Sequence, residues 1–371
     1  MDHPVDPLAP LLVWVLVPHL ETSDPNLTCY NDYSQSHAEF DRVFARLGLE
    51  WRWEQVTLDN AAAVLDRVVR ESVGRTPVVF NLCDGDEQNS IPGVSVIHQL
   101  ERLGLCYTGA DARFYQLTTS KIVMKEAFDA AAVATPMWEV VPEEAGDDAG
   151  IIARLGSPLI VKPAVSAGSM GLTVKSVVHD AGALRREVAQ LHEGYRGWRL
   201  ADGGVIAERF ITGREFTTFI VGSVDAPEQC LIYPPVERVF HRDLPPTEQF
   251  LSFDRLWEIY EREAPLGVDA YLWEYAEVAP PLATEIEALS WRAYAAVGGS
   301  GYGRVDLRLD AESGSLQVLE VNSQCGLSED EDYTSIGAIL RFAGRPFSEV
   351  IEAVVQDALR AWHPAVPFAL P

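Results

Sequence analysis

The sequence predicts a mixed fold, α/β in its first part and α+β beyond, in three units at 1–119, 120–215 and 216–371. Three observations carry that expectation. Apolar runs of strand length alternate with helically spaced apolar residues as far as Thr108; short β-rich segments separated by glycine turns follow; and a last portion sets two strands between two long helices.

After a proline-containing tail, Leu11–Val17 reads as a buried strand. It is too short to span a bilayer and lacks the flanks of a signal peptide. From Ser36 to Gly48, Phe40, Val43, Phe44 and Leu47 fall at helical spacing before a terminating glycine. Trp51–Leu58 is a second strand, Ala61–Val73 a second helix, and Pro77–Leu82 a strand entering the loop Cys83-Asp84-Gly85. A helix at Val94–Leu103 and a short strand at Cys106–Thr108 complete a pattern that implies a mostly parallel sheet. Ligands of such a sheet lie beyond the carboxyl ends of its strands, where Asp84 stands.

The second unit opens with a helix over Ser120–Ala132, ended by Pro136. Strands are expected at Leu159–Val161, Leu172–Val177, Gly204–Glu208 and Phe216–Val221, with a helix at Ala183–Glu193. The third carries a helix at Pro281–Val297, strands at Arg304–Leu309 and Leu316–Val321, and a final helix at Phe347–Trp362. Asp225–Pro246, with five prolines, reads as an irregular loop.

Among 371 residues, 29 lysines and arginines face 55 aspartates and glutamates, and the net charge of -26 argues against nucleic acid or an anionic membrane as partner. An anionic ligand would need local cations. The five cysteines, Cys29, Cys83, Cys106, Cys230 and Cys325, follow no metal-ligand spacing, so reduced thiols and a cytoplasmic location are expected.

The chemistry concentrates in three places. Gly303-Arg304-Val305-Asp306-Leu307-Arg308-Leu309 precedes a turn and Val318-Leu319-Glu320-Val321-Asn322; in a hairpin, alternation puts Arg304 with Asp306 and Glu320 with Asn322. Asp306, Glu320 and Asn322 could meet at one point as oxygen ligands for magnesium, with Arg304 beside them to neutralise developing negative charge. Lys162 ends a strand and precedes Ala164-Val165-Ser166-Ala167-Gly168-Ser169-Met170-Gly171, a small-residue loop in which Ser169 is a candidate phosphate contact, although such a loop taken alone is ordinarily just a turn. Glu208 and Glu215 flank a turn and could accept hydrogen bonds from adenine and ribose.

The order of Phe80-Asn81-Leu82-Cys83-Asp84-Gly85, Leu103-Gly104-Leu105-Cys106-Tyr107-Thr108-Gly109, Thr119-Ser120-Lys121, Val161-Lys162-Pro163, Glu208, Gly213-Arg214-Glu215-Phe216, Arg304-Val305-Asp306 and Glu320-Val321-Asn322 resembles the D-alanine–D-alanine ligase-like branch of the ATP-grasp superfamily, over about residues 77–327. The resemblance implies an ATP-grasp fold of three domains, the first an N-terminal parallel α/β domain, with ATP held between the second and third, and an acyl phosphate attacked by an amine. It implies that Lys121 and Lys162 contact phosphates, Glu208 the adenine side and Glu215 the ribose, that Asp306, Glu320 and Asn322 hold two magnesium ions, with manganese as an alternative, and that Arg304 stabilises the tetrahedral intermediate. It also suggests a homodimer. Asn81–Gly85 with Phe114-Tyr115 and Thr118–Lys121 resembles, more narrowly, ligases that attach an amino acid to a mycosporine core, which leaves amide and imine products both open.

Departures from the family pattern bear on substrate. Val17-Pro18-His19-Leu20-Glu21 stands where the family has a glycine-rich segment whose glutamate receives the first substrate's amine; Gly168 replaces a serine, and Leu256-Trp257 a lysine–tyrosine pair of a mobile loop. Ser328-Glu329-Asp330-Glu331-Asp332 lies where the dipeptide ligases keep a serine that holds the second substrate's carboxylate. Its acids, Glu331 foremost, would repel a carboxylate and favour an amine or guanidinium, which makes Asp84 and Glu331 the candidate substrate residues. The expected activity is an ATP- and magnesium-dependent ligase joining a small-molecule acid to an amine, not making D-alanyl-D-alanine; the alternatives are a non-catalytic ATP-binding regulator of the same fold and a small-molecule kinase.

Overall fold

β1 (Leu11–Pro18) is buried from Leu12 to Pro18, with Val13, Val15 and Val17 packed into one cluster and Leu12, Trp14 and Leu16 into another. A strand apolar on both faces belongs inside a helix-covered parallel sheet. In the computed structural model, which describes residues 10–24, 31–144, 146–265 and 271–362, that is its place. Cys29 and the proline-containing tail before Pro10 lie outside the described residues; the four described cysteines are free thiols.

The first sheet is fully parallel in the order β2-β1-β3-β4, built with β2 (Glu50–Val56), β3 (Thr76–Asn81) and β4 (Cys106–Tyr107). Helices α1 (Ser34–Leu47), α2 (Ala61–Glu71) and α3 (Val94–Leu103) connect it. In α2 the buried residues Ala61, Val64, Leu65 and Val68 form one stripe at helical spacing.

The helix expected over Ser120–Ala132 forms as α5 (Lys121–Ala130), and a further helix not expected from the sequence, α4 (Ala112–Thr119), precedes it. Ser120 between them is extended, because it bridges to Val165 while the Lys121 N–H donates to the Ala164 carbonyl at 2.7 Å. A second, antiparallel sheet runs β5-β8-β6-β7 from β5 (Trp138–Val140), β6 (Leu159–Pro163), β7 (Val177–Val178) and β8 (Val205–Arg209), with α6 (Asp148–Leu155) and α7 (Ala181–Glu193) packed on it. The strand expected at Leu172–Val177 forms only at its end. The Thr173 hydroxyl accepts from the Lys175 N–H and the Ser176 hydroxyl from the Thr173 N–H, which winds Val174–Ser176 into a short 3₁₀ turn.

The third sheet is antiparallel in the order β12-β11-β9-β13-β14, with β10 also on β9: β9 (Gly213–Val221), β10 (Leu231–Ile232), β11 (Val236–Phe240), β12 (Trp273–Glu277), β13 (Tyr302–Asp310) and β14 (Leu316–Ser323). Asp225–Pro246 is thus not a plain loop, since it contains β10 and β11; its five prolines all fall outside those two strands, where no ladder donor is needed. α8 (Phe253–Leu256) follows β11, α9 (Pro280–Ala296) covers one face of the sheet, and α10 (Ser335–Ala343) and α11 (Phe347–Trp362) pack with β9, α1 and β1 in one hydrophobic cluster. No described helix is long and apolar enough to cross a membrane.

The first and third sheets meet at a close backbone approach. The Gln324 side chain accepts from the Ala110 N–H at 2.9 Å and donates to the Asn81 carbonyl. Gly109 and Gly301 touch there, both at positive φ, and a Cβ on Gly301 would stand 2.0 Å from the Gly109 oxygen.

Candidate active site

Alternation along β13 puts Tyr302, Arg304, Asp306 and Arg308 on one face of the third sheet. Register sets Arg304 opposite Asn322 and Asp306 opposite Glu320 on β14, and on the other side Asp306 opposite Thr217 and Arg308 opposite Glu215 on β9. Arg238 of β11 also lies opposite Glu215, and Tyr275 of β12 opposite Arg238. A bulge in β14 protects this face: strict alternation would turn Val318 outward with Glu320, but the register skips Leu319 and pairs Val318 with Leu307 in the core.

The hairpin residues converge as the sequence predicts. Arg304 grips Asp306 through Nε to Oδ1 at 3.0 Å and Nη2 to Oδ2 at 2.8 Å, and the Thr217 hydroxyl donates to Oδ1 at 2.7 Å. Asn322 Nδ2 donates to Asp306 Oδ2 at 2.9 Å and faces Glu320 Oε1 at 3.4 Å. Burial would raise the Asp306 carboxyl, but Arg304 outweighs it and holds it below its ordinary value. Lys121 Nζ stands 4.0 Å from Glu320 Oε2. Among the described residues no three His, Cys, Asp or Glu side chains are grouped to hold a metal. Two carboxylates and a carboxamide still fit magnesium, which takes few protein oxygens and fills its octahedron with water and phosphate; Asn322 would serve with its amide oxygen turned inward.

Across from this cluster lies a buried lysine–glutamate group. Glu208 on β8 pairs through Oε1 with Lys162 of the neighbouring strand β6 and through Oε2 with Lys125 Nζ at 3.1 Å. Burial alone would raise its carboxyl, yet the two ammonium groups hold it down at about 2. Burial lowers Lys121 and Lys125 below the ordinary lysine value, against the pull of Glu320 and Glu208. Lys121 also donates to the Ser166 carbonyl at 3.3 Å, which ties it to the small-residue loop where Ser169 sits at φ 61°.

Glu215 is fully engaged by arginines: Arg308 contacts Oε2 through Nε at 3.0 Å and Nη2 at 2.7 Å, and Arg238 contacts Oε1. The two polar groups together hold six cations, Lys121, Lys125, Lys162, Arg238, Arg304 and Arg308, against four carboxylates, Glu208, Glu215, Asp306 and Glu320. A protein of net charge -26 thus keeps a cluster in which cations outnumber carboxylates.

Comparison with known proteins agrees with this geometry. The family model for the D-ala D-ala ligase C-terminus matches residues 128–356, more than half of the chain. The chain belongs to the D-alanine–D-alanine ligase family. Among curated family members, the D-alanine–D-alanine ligase of Synechococcus sp. (strain JA-3-3Ab) is 31% identical over 277 residues, 74% of each chain. That of Acinetobacter baumannii is 26% identical over 339 residues, 86% of this chain and 97% of the relative. The crystal structure of the Bacillus anthracis D-alanine–D-alanine ligase complexed with ATP superposes with a TM-score of 0.64 at 18% identity, covering 96% of this chain and 99% of that one. The Coxiella burnetii ligase gives 0.65 at 16% identity, with 95% and 96% covered. The fold is therefore ATP-grasp, and the family is one of ATP-dependent, ADP-forming carbon–nitrogen ligases.

Around this family core, the remaining candidates divide. Asp84, three residues beyond the Asn81 carbonyl that Gln324 binds, is exposed, yet the surrounding protein raises its carboxyl to about 6. The acidic run is not the bare negative wall the sequence suggests, because its charges have partners: Glu329 pairs with Arg42, Asp332 with Arg341 at 3.3 Å, and Asp330 accepts the N–H groups of Asp332 and Tyr333. Glu331 is exposed. Ser328 turns its hydroxyl to Glu39 at 2.8 Å. Sequence reasoning missed Lys125, Arg238 and Arg308. Lys125 was signalled by its place one helical turn after Lys121; Arg238 was hidden in the segment taken for a loop.

Proposed function

We propose that this enzyme uses ATP and magnesium to transfer a phosphoryl group to the carboxylate oxygen of a small molecule, and then joins the acyl group to an amino-acid or peptide amine, releasing ADP and phosphate. The observation that carries the reading is the convergence of Arg304, Asp306, Glu320 and Asn322 on one sheet face, with Lys121 4.0 Å from Glu320. Nucleotide binding alone would not need that whole set.

In this reading Asp306, Glu320 and Asn322 would hold magnesium, which would offset the charge of the nucleotide phosphates, while Lys121 and Lys162 neutralise phosphate oxygens beside the loop Ala164–Gly171, in which Ser169 contacts phosphate. Glu208, with both oxygens in ion pairs, sets the lysines in place on the adenine side; Glu215, held by Arg308 and Arg238, shapes the ribose side. Arg304 faces the oxyanion that forms when the amine adds to the acyl carbon, and charge fixed in advance there lowers the barrier. The amine's proton leaves to solvent and the phosphate departs with the oxygen it took from the acid.

The product we infer is not D-alanyl-D-alanine. Ser328, in the segment where the dipeptide ligases keep a serine for the second substrate's carboxylate, turns its hydroxyl to Glu39 instead, and the acids that follow it, Glu331 among them, would repel a free carboxylate. The test is ADP release across a panel of acids and amines with mass detection of products. Release that requires both components and yields their condensation product supports the ligase; both amide and imine form with loss of one water, so borohydride, which adds two hydrogens to an imine and none to an amide, separates them. ADP release indifferent to the amine identifies a kinase; tight nucleotide binding without any release identifies a non-catalytic relative.

A further inference from the structure

One arginine ties together segments that belong to three different sheets. After α7, Tyr195 and Trp198 bond each other's backbones at 3.1 and 2.8 Å around a two-residue turn, Arg196-Gly197. Both central residues have positive φ, 50° and 83°, a conformation that glycine, asparagine and aspartate adopt most readily. Arginine there carries backbone strain, offset by what its side chain binds. Arg196 Nη1 donates to both carboxylate oxygens of Asp24 at 2.8 Å, in the loop after β1, and Nη2 pairs with Glu261, in the segment after α8. The Tyr195 hydroxyl accepts from Arg196 Nε at 3.0 Å and donates to the other Glu261 oxygen at 2.8 Å. The Arg262 guanidinium lies 4.1 Å over the Tyr195 ring. Farther along, Arg199 donates its N–H to Asn89 Oδ1 at 2.9 Å and its guanidinium to the Gln88 carbonyl, both in the loop after β3.

The Glu261 segment follows β11 of the third sheet in sequence but packs on the second sheet. Phe253 and Ile259 join the hydrophobic cluster of β6, β8 and α7, and the Phe253 N–H donates to the Leu172 carbonyl at 2.9 Å. Buried Glu263 accepts from the Val174 N–H at 2.9 Å and the Ser252 hydroxyl at 2.6 Å. Between these anchors, Trp257 Nε1 donates to the Gly168 carbonyl at 2.9 Å. The segment is thus a cover carried by the second sheet. Arg196 and Arg199 join that body to the loops beyond the carboxyl ends of β1 and β3, where ligands of a parallel sheet lie. We propose that Arg196 is a positioning residue that makes one event of two: seating Trp257 over the small-residue loop, and drawing the ligand-side loops of the first sheet against the second. Arg196, Asp24 and Glu261 keep 20%, 25% and 35% of their side-chain surface exposed, so salt weakens the network. The inference rests on the ligase reading only for what the cover protects.

The experiment is hydrogen–deuterium exchange of the full-length protein, saturated with magnesium and a non-hydrolysable ATP analogue, followed at residues 84–91 and 253–263. Arg196→Asn removes the guanidinium and leaves a residue that tolerates the turn. It should speed exchange about fivefold in both segments and leave α2 unchanged. Asp24→Asn, made beyond the first sheet, should speed 253–263 as well, and carries the test alone if the first variant is unstable. Arg196→Lys, which keeps a point charge without the fork, should restore part of the protection. Added salt should quicken both segments in the wild type and add little in Arg196→Asn. Arg154→Gln, which breaks a pair with Glu139 at 2.7 Å between α6 and β5, should change neither segment. In turnover, Arg196→Asn should raise the ratio of ADP to condensation product above unity. The proposal is overturned if Arg196→Asn loosens only one segment or keeps the ratio at unity, if Asp24→Asn leaves 253–263 protected, or if Arg154→Gln loosens both segments equally. Coupled exchange in a protein that releases no ADP from any acid and amine pair would sink the ligase reading and leave the latch standing; condensation with the two segments exchanging independently would do the reverse.

Discussion

Lys125 Nζ lies 3.1 Å from Glu208 Oε2, and both side chains are shut off from solvent. Lys162 completes the pair from the other side. Removing the one carboxylate leaves two ammonium groups that the interior cannot solvate, at a cost of about 3–5 kcal/mol, whereas removing Lys125 leaves Glu208 paired with Lys162. Glu208→Gln should therefore destabilise the protein by about that amount and Lys125→Met by less, and the two together should cost less than the sum of the single changes. A double-mutant cycle from urea unfolding measures both; strict additivity would contradict the coupling.

The same group sets a pH dependence. Glu208 is held at about 2 against an ordinary 4.5, so its contribution to stability is fully present above about pH 4.5 and is lost as pH falls toward 2. Unfolding free energy measured from pH 5 down to pH 2.5 should fall in the wild type, with a flatter slope in Glu208→Gln.

Asp306 tests the metal assignment. Asp306→Asn removes one hard anionic ligand and leaves Arg304 without its partner, so nucleotide affinity measured with magnesium should drop about 10- to 100-fold. Affinity measured in EDTA should hold or rise, because Arg304 becomes free to meet phosphate. ADP release should fall with the magnesium-dependent term.

What could be read from the sequence follows a physical divide. The strands Leu11–Pro18 and Tyr302–Asp310 and the helices Val94–Leu103 and Phe347–Trp362 announce themselves because burial imposes a strict period on their residues. The Arg304–Asp306–Asn322 convergence is legible for the same reason, since alternation alone puts those residues on matching faces. The bulge at Leu319, the arginines around Glu215 and the neutralised acids Glu329 and Asp332 are not legible locally. Each depends on a partner far along the chain: Leu307, Arg238 with Arg308, Arg42 and Arg341. β11 was lost to composition, because prolines beside a strand look the same as prolines in a loop.

Trp257 closes the segment after α8 onto the small-residue loop: its Nε1 donates to the Gly168 carbonyl at 2.9 Å, and the Tyr333 hydroxyl holds the preceding Leu256 carbonyl at 2.7 Å. Gly168 is at φ 55°, and a Cβ there would come within 3.1 Å of the indole. In the proposed reaction a phosphorylated acid must be kept from water until the amine arrives, and a segment closed over the small-residue loop would provide that exclusion. Trp257→Ala forfeits the hydrogen bond, worth about 1 kcal/mol, together with the ring contact, so the closed state should lose population several-fold. ADP release should then exceed condensation product, while Trp257→Phe, which keeps a ring, should show a smaller excess. Gly168→Ala should uncouple the two by the same route with the tryptophan itself retained, because its Cβ both strains the backbone and pushes on the indole. The ratio of ADP to product under saturating substrates measures the effect; a ratio that stays at unity in Trp257→Ala would show that the indole does not guard the intermediate.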